Sequence, residues 1–176
     1  MQATPEGGGV APEIVFDTTI LSNFARIGQC QWLERMYVDR AWTTLMVVEE
    51  IQHGIEVGYS ELTDVQRALA PTGWLAVTAP ENGEEQCIYV RQLAALGSGE
   101  ASCLAVARVR DMVLATDDRA ARLHAAVDKV RLTGTLGILL RLVRTAQVPL
   151  ERANRLLAEM RQRGYHSPVE ILDSLV

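Results

Sequence analysis

The chain has 176 residues and a mass of 19.4 kDa, the size of one domain that buries roughly 68–70% of its unfolded surface. A net charge of −5 argues against nucleic-acid binding through bulk electrostatics. Three cysteines without C-x-x-C spacing argue against a disulfide scaffold, and no apolar run approaches the roughly 18 residues of a membrane span. A cytoplasmic protein with ordinary core thiols is the expectation.

Residues 1–12 read as a flexible arm: MQATPEGGG has neither the basic nor the apolar region of a targeting segment. Glu13 to Gly28, EIVFDTTILSNFARIG, follows as a buried strand that runs into a helix. Ile14, Val15 and Phe16 are β-prone, and Thr18 or Thr19 can cap the helix. Ile20, Leu21, Phe24 and Ile27 fall at helical spacing, and Gly28 stops it. Asp17 stands at the junction, where open α/β sheets place their ligands.

A short helix over 31–37 and a short strand over 41–43 come next, then a helix from Leu45 to Ile55. In that helix Glu49 and Glu50 point about 100° apart and cannot share a role. Further helices are expected over 60–70, from Pro80 to Leu96, from Glu100 to Arg110, over 119–127, over 134–143, from Pro149 to Met160 and over 168–175. Strands are expected at 74–78, 112–116 and 130–133. Glu81, Glu84 and Glu85 are assigned to capping and solvation of the Pro80 helix. Short strands alternating with helices predict an α/β fold of parallel βαβ units without a second domain.

Two of these strands end in acids, Asp17 and the pair Asp117 and Asp118, and the carboxyl ends of parallel strands converge on one sheet edge. Glu50 and Glu100 could join them from helices. Like charges about 4 Å apart cost roughly 1 kcal/mol in bulk water and about 4 at an effective dielectric of 20, so such a cluster calls for a hard cation, Mg²⁺ or Mn²⁺. Charge is also segregated along the chain. Residues 119–163 hold ten Lys or Arg against three Asp or Glu, a balance of +7, which leaves −12 for the remainder, as an enzyme acting on a polyanion would need.

The segments IVFDTTILSNFARIG, VVEEIQHG, GSGEASCLAVA, LATDDRAAR and LTGTLGILLRLV together resemble, in order and spacing, the PIN-domain nucleases, and most closely the branch grouped with VapC-type toxins of toxin–antitoxin pairs. The resemblance covers residues 13–145 as the catalytic domain, with 146–176 as C-terminal helices packed on it. It implies a three-layer α/β/α fold with a central parallel sheet of four to five short strands, and a Mg²⁺- or Mn²⁺-dependent endoribonuclease. The family acids fall on Asp17, Glu50, Glu100 and Asp118, with Asp17, Glu100, Asp117 and Asp118 as metal ligands. Thr18, Thr116, Arg119 and Arg122 are candidate substrate contacts. The implied partners are RNA, a small antitoxin and a second copy of the chain in a homodimer or higher oligomer; no membrane is implied.

Two other classes compete. A catalytically silent PIN-like binding or regulatory module would gain nothing from four uncompensated carboxylates. A phosphoryl-transfer enzyme of the haloacid-dehalogenase type needs a second Asp two residues after the first, where Thr19 stands. A receiver domain wants a lysine at a later strand end, and Lys129 precedes its strand. His53, His124 and His166 have no zinc-like spacing.

Overall fold

The computed structural model describes residues 11–176, so most of the N-terminal arm lies outside the described residues. Five parallel strands form one sheet in the order β3-β2-β1-β4-β5, with β1 at Ile14–Phe16, β2 at Ala41–Thr44, β3 at Ala76–Thr78, β4 at Val113–Ala115 and β5 at Leu132–Thr133. Helices α1 (Thr18–Ala25), α2 (Gln31–Tyr37), α3 (Leu45–Glu56), α4 (Thr63–Ala68), α5 (Gly83–Gln92), α6 (Ser98–Val109), α7 (Arg119–Val127), α8 (Thr135–Arg144) and α9 (Leu150–Gln162) flank it. This is the expected three-layer α/β/α arrangement. Strand β1 is buried on both faces, as a central parallel strand must be. It pairs with β2 through Ile14↔Ala41 and with β4 through Val15↔Leu114. Strand order reverses between β1 and β4, so the crevice beyond their carboxyl ends is the switch point where such sheets bind ligands.

The apolar stripe read from α1 is real: Ile20, Leu21 and Phe24 are buried. The helix ends at Ala25, and the turn after it closes at Gly28 with φ +62°, a conformation that favours glycine. Phe16 meets Tyr37 edge-on with ring centroids 5.4 Å apart, and Trp74 at 6.4 Å, so β1 is tied to α2 and to the approach to β3 by aromatic contacts.

Three local expectations are corrected. The helix expected from Pro80 starts at Gly83, because Asn82 accepts the Glu85 N–H at 2.9 Å and Glu85 completes a capping box. Glu85 is fully buried rather than solvated, and Arg110 donates to it at 2.7 Å. No helix forms over 168–175: the Ser167 hydroxyl donates to the Val169 carbonyl at 2.6 Å and competes with helical pairing. That tail still packs on α9 through buried Leu172, whose N–H donates to Asn154 at 2.7 Å. Of the cysteines, Cys30 and Cys103 are core thiols and Cys87 is exposed. No described helix is long and apolar enough to cross a membrane.

Candidate active site

Asp17 follows β1 and is the N-cap of α1, accepting the Ile20 N–H at 3.1 Å. Its capping role and its place at the switch point are therefore compatible. The same oxygen accepts the Thr19 hydroxyl at 2.6 Å, and the other accepts the Thr116 hydroxyl. Thr116 follows β4 and also accepts the Asp118 N–H at 3.0 Å, so one hydroxyl links the loops beyond the two central strands. Asp118 in turn caps α7 by accepting the Ala121 N–H at 2.7 Å.

Glu50 reaches the site from α3. It accepts the Thr18 hydroxyl on one oxygen, and the Ser98 hydroxyl at 3.3 Å and the Gly99 N–H at 2.9 Å on the other. Glu49, its neighbour, is exposed, as their angular separation requires. A Cβ on Gly99 would lie 2.6 Å from both Glu50 oxygens. A side chain at residue 99 would therefore push the Glu50 carboxylate out of its present seat at the start of α6. Glu100, one residue on, lies against Gly97, where a Cβ would come within 2.5 Å of one carboxylate oxygen.

Asp117 is placed differently from its neighbour. It accepts the Asn23 amide at 3.0 Å, the Thr135 hydroxyl at 2.5 Å and the Thr135 N–H at 3.0 Å. With both oxygens engaged, Asp117 fastens α1 to the start of α8. Of the candidate substrate contacts, the Thr18 and Thr116 hydroxyls are committed to Glu50 and Asp17. Arg122 donates to the Thr116 and Thr133 carbonyls at 2.9 and 3.1 Å, and Arg119 is exposed.

A sequence profile described as a PIN domain matches residues 13–176. The chain belongs to the PIN-domain family. The crystal structure of PAE2754 from Pyrobaculum aerophilum is similar in fold, with a TM-score of 0.53 and 19% identity over 79% of this chain and 100% of that one. No curated protein matches. PIN domains are generally nucleases that use divalent metals, and this chain has that nuclease-type fold.

The electrostatics of this PIN domain are those of a site short of positive charge. Among the described residues no Lys or Arg pairs with Asp17, Glu50, Glu100 or Asp118; the ion pairs lie elsewhere, as in Arg110 with Glu85. Burial pushes the Asp17 carboxyl up to about 7 against the pull of the Thr116, Thr19 and Ile20 donors, and Glu100 adds to the rise. Glu100 is itself held above the usual range by burial, with Glu50 and Asp118 contributing. An all-oxygen set of this kind suits a hard divalent cation. Among the described residues no three His, Cys, Asp or Glu side chains stand close enough together to hold a metal ion as they are arranged.

Sequence reasoning passed over Thr19, Asn23, Ser98 and Thr135, which hold the acids in place. One signal was present: Asn23 is a polar residue beside Phe24 on the apolar stripe of α1, and it is buried at 7% exposure. A polar side chain in such a position needs a partner.

Proposed function

We propose that the chain is a metal-dependent endoribonuclease that hydrolyses RNA phosphodiesters. One observation supports this reading: Asp17, Glu50, Glu100 and Asp118, from four separate elements, lie near enough that Glu100 feels the charge of the other three, and among the described residues none of them has a paired Lys or Arg. Asp17, Glu100 and Asp118, with Glu50, would hold Mg²⁺ or Mn²⁺. Such an ion, when bound, lowers the pKa of a water and stabilises charge on the phosphate oxygens. The chain supplies the rest. Thr116 and Thr19 orient Asp17, Ser98 and the Gly99 N–H orient Glu50, and Asp117 fixes the wall of the crevice through Asn23 and Thr135.

The narrower role of a toxin, inhibited by a small antitoxin and assembled as a homodimer, rests on the VapC-like order of the motifs. A silent PIN-like module is the second reading, favoured by the spread of the carboxylates. The test is cleavage of single-stranded RNA with Mn²⁺ or Mg²⁺. Wild type is expected to cut and Asp17→Asn to leave RNA intact while keeping its fold. A folded wild-type protein that cuts no RNA with either metal overturns the proposal in favour of the silent module.

A further inference from the structure

Two cavities meet along the edge strand β5. One, of about 560 Å³, opens at Asp117, the neighbour of Asp118, and is lined also by Arg119, Arg122, Gly137, Tyr165 and His166. The second, of about 450 Å³, lies at the amino ends of β1, β4 and β5 and is lined by Arg40, Arg131, Arg141 and Arg144. Leu132, Thr133 and Gly137 line both, so the two adjoin as one surface groove, at whose neck the Thr133 hydroxyl stands 2.7 Å from where a Cβ on Gly137 would lie. Helix α8 runs along it, from Thr135 at Asp117 to Arg144 at the far end. Ten residues at about 1.5 Å each give roughly 15 Å.

The far end carries four arginines, of which Arg131 pairs with the exposed Asp111 at 3.1 Å and Arg144 donates to the Leu175 carbonyl at 3.1 Å. Among the described residues no carboxylate lines the second cavity. Arg40 and Arg141 both lie over the buried Tyr37 ring, at 4.7 and 6.0 Å from its centroid. Arg40 is held there by the Pro12 and Met36 carbonyls at 2.9 Å, whereas Arg141 makes no side-chain hydrogen bond or ion pair with any described residue. Burial and the proximity of Arg141 hold the Arg40 guanidinium below its usual range. With two guanidiniums against one ring and Arg141 uncommitted among the described residues, Arg141 is available to take an anion. Arg119, Arg122, Arg131, Arg141 and Arg144 all belong to the basic stretch 119–163, so the charge segregation seen in the sequence becomes one lined path in space.

We propose that this groove holds the single-stranded RNA flanking the scissile phosphate, with its backbone running from the acidic crevice over β5 to Arg141 and Arg144. This rests on the ribonuclease reading above. Phosphates recur about every 3.4 Å along a stacked strand and farther apart when it is extended, so 15 Å accommodates on the order of three. The bases need no specific contact there, and recognition is of backbone charge.

The test is binding, not cleavage, in the Asp17→Asn background with chelator present, so that it reads the groove whether or not the wild type cuts RNA. Fluorescence anisotropy with a 12-nucleotide single strand and with a trinucleotide is compared for this protein and for the same protein carrying Arg141→Gln and Arg144→Gln. Each phosphate contact on a single strand contributes about 0.7 to the slope of log affinity against log salt. Loss of two contacts is therefore expected to lower that slope by about 1.4 and to weaken the 12-mer about tenfold at low salt, with little change for the trinucleotide. If the double variant melts early, Arg131→Gln, whose described partner is the exposed Asp111, carries the same comparison with a slope change of about 0.7. An unchanged slope overturns the proposal. So does displacement of the 12-mer by polyglutamate at matched charge, which would assign the groove to an acidic polypeptide, or by millimolar inorganic phosphate alone, which would leave only a small-anion pocket.

Discussion

Asp17→Asn should abolish a pH dependence of stability that the wild type carries when metal is chelated. The Asp17 carboxyl has its ordinary value of 3.8 in the unfolded chain and about 7 in the folded one. Between those values the folded state binds the proton and the unfolded state does not, so unfolding free energy falls as pH rises and the contribution is gone above pH 7. At 1.36 kcal/mol per factor of ten in proton affinity, the gap amounts to about 4 kcal/mol. Urea denaturation in chelator at pH 5 and pH 8 reads it directly. Wild type should lose most of that energy across the interval. Asp17→Asn, with no charge to bury, should lose only the smaller part owed to Glu100, and should be the more stable protein at pH 8. Saturating Mn²⁺ at pH 8 should restore wild type and do little for the variant. A variant that keeps the wild-type slope would show that Asp17 is not the group opposed by burial, and the electrostatic reading of the site would fall with it.

Other perturbations reach different parts of the fold. Gly99→Ala puts a methyl 2.6 Å from both Glu50 oxygens. Cleavage should fall about 10²-fold, as for small misplacements of a reacting group, while the melting temperature changes little because alanine also favours the helix. Arg110→Ala leaves the fully buried Glu85 carboxylate without the guanidinium that holds it below the usual range. It should cost about 3 kcal/mol by denaturant titration, the lower end for a broken buried pair, because Arg110 keeps 29% of its side chain in solvent. Asn23→Ala removes an amide that bonds both Asp117 and Thr135. It should lower kcat more than it raises KM and cost about 1–2 kcal/mol, in contrast to a surface alanine substitution.

The strands and their terminal acids were legible because each rests on a local signal, an apolar run followed at once by a carboxylate; the expected capping by Thr18 or Thr19 was wrong, since Asp17 and Asp118 cap their helices themselves. Thus β1 with Asp17 and β4 with its pair of acids could be read directly, and the angular argument showed that Glu49 and Glu50 differ in role, while the choice of Glu50 and of Asp118 came from the resemblance to PIN domains. The order of strands in the sheet was not legible, since periodicity carries no information about which strand lies beside which. The division of labour between Asp117 and Asp118 was hidden for the same reason. Both stand at one strand end, and only the approach of Asn23 and Thr135, 94 and 18 residues distant, gives the first its hydrogen-bond partners. The missing C-terminal helix was a failure of a different kind, because Pro168 suggested a helix start and the Ser167 side chain instead makes a turn.

The bonds that assemble the site span most of the chain. Thr116 meets Asp17 across 99 positions and Asn23 meets Thr135 across 112. Contacts that distant close late, after the local helices have formed. A ribosome must therefore release the segment as far as α8 before the carboxylates can face one another. A nascent or prematurely terminated polypeptide that ends before Thr135 has Asp17, Glu50 and Glu100 on hand yet has no frame to hold them, and the activity becomes all-or-none with respect to synthesis. For a protein whose proposed chemistry is directed at RNA, that ordering keeps the cutting edge unformed while its own message is still being read.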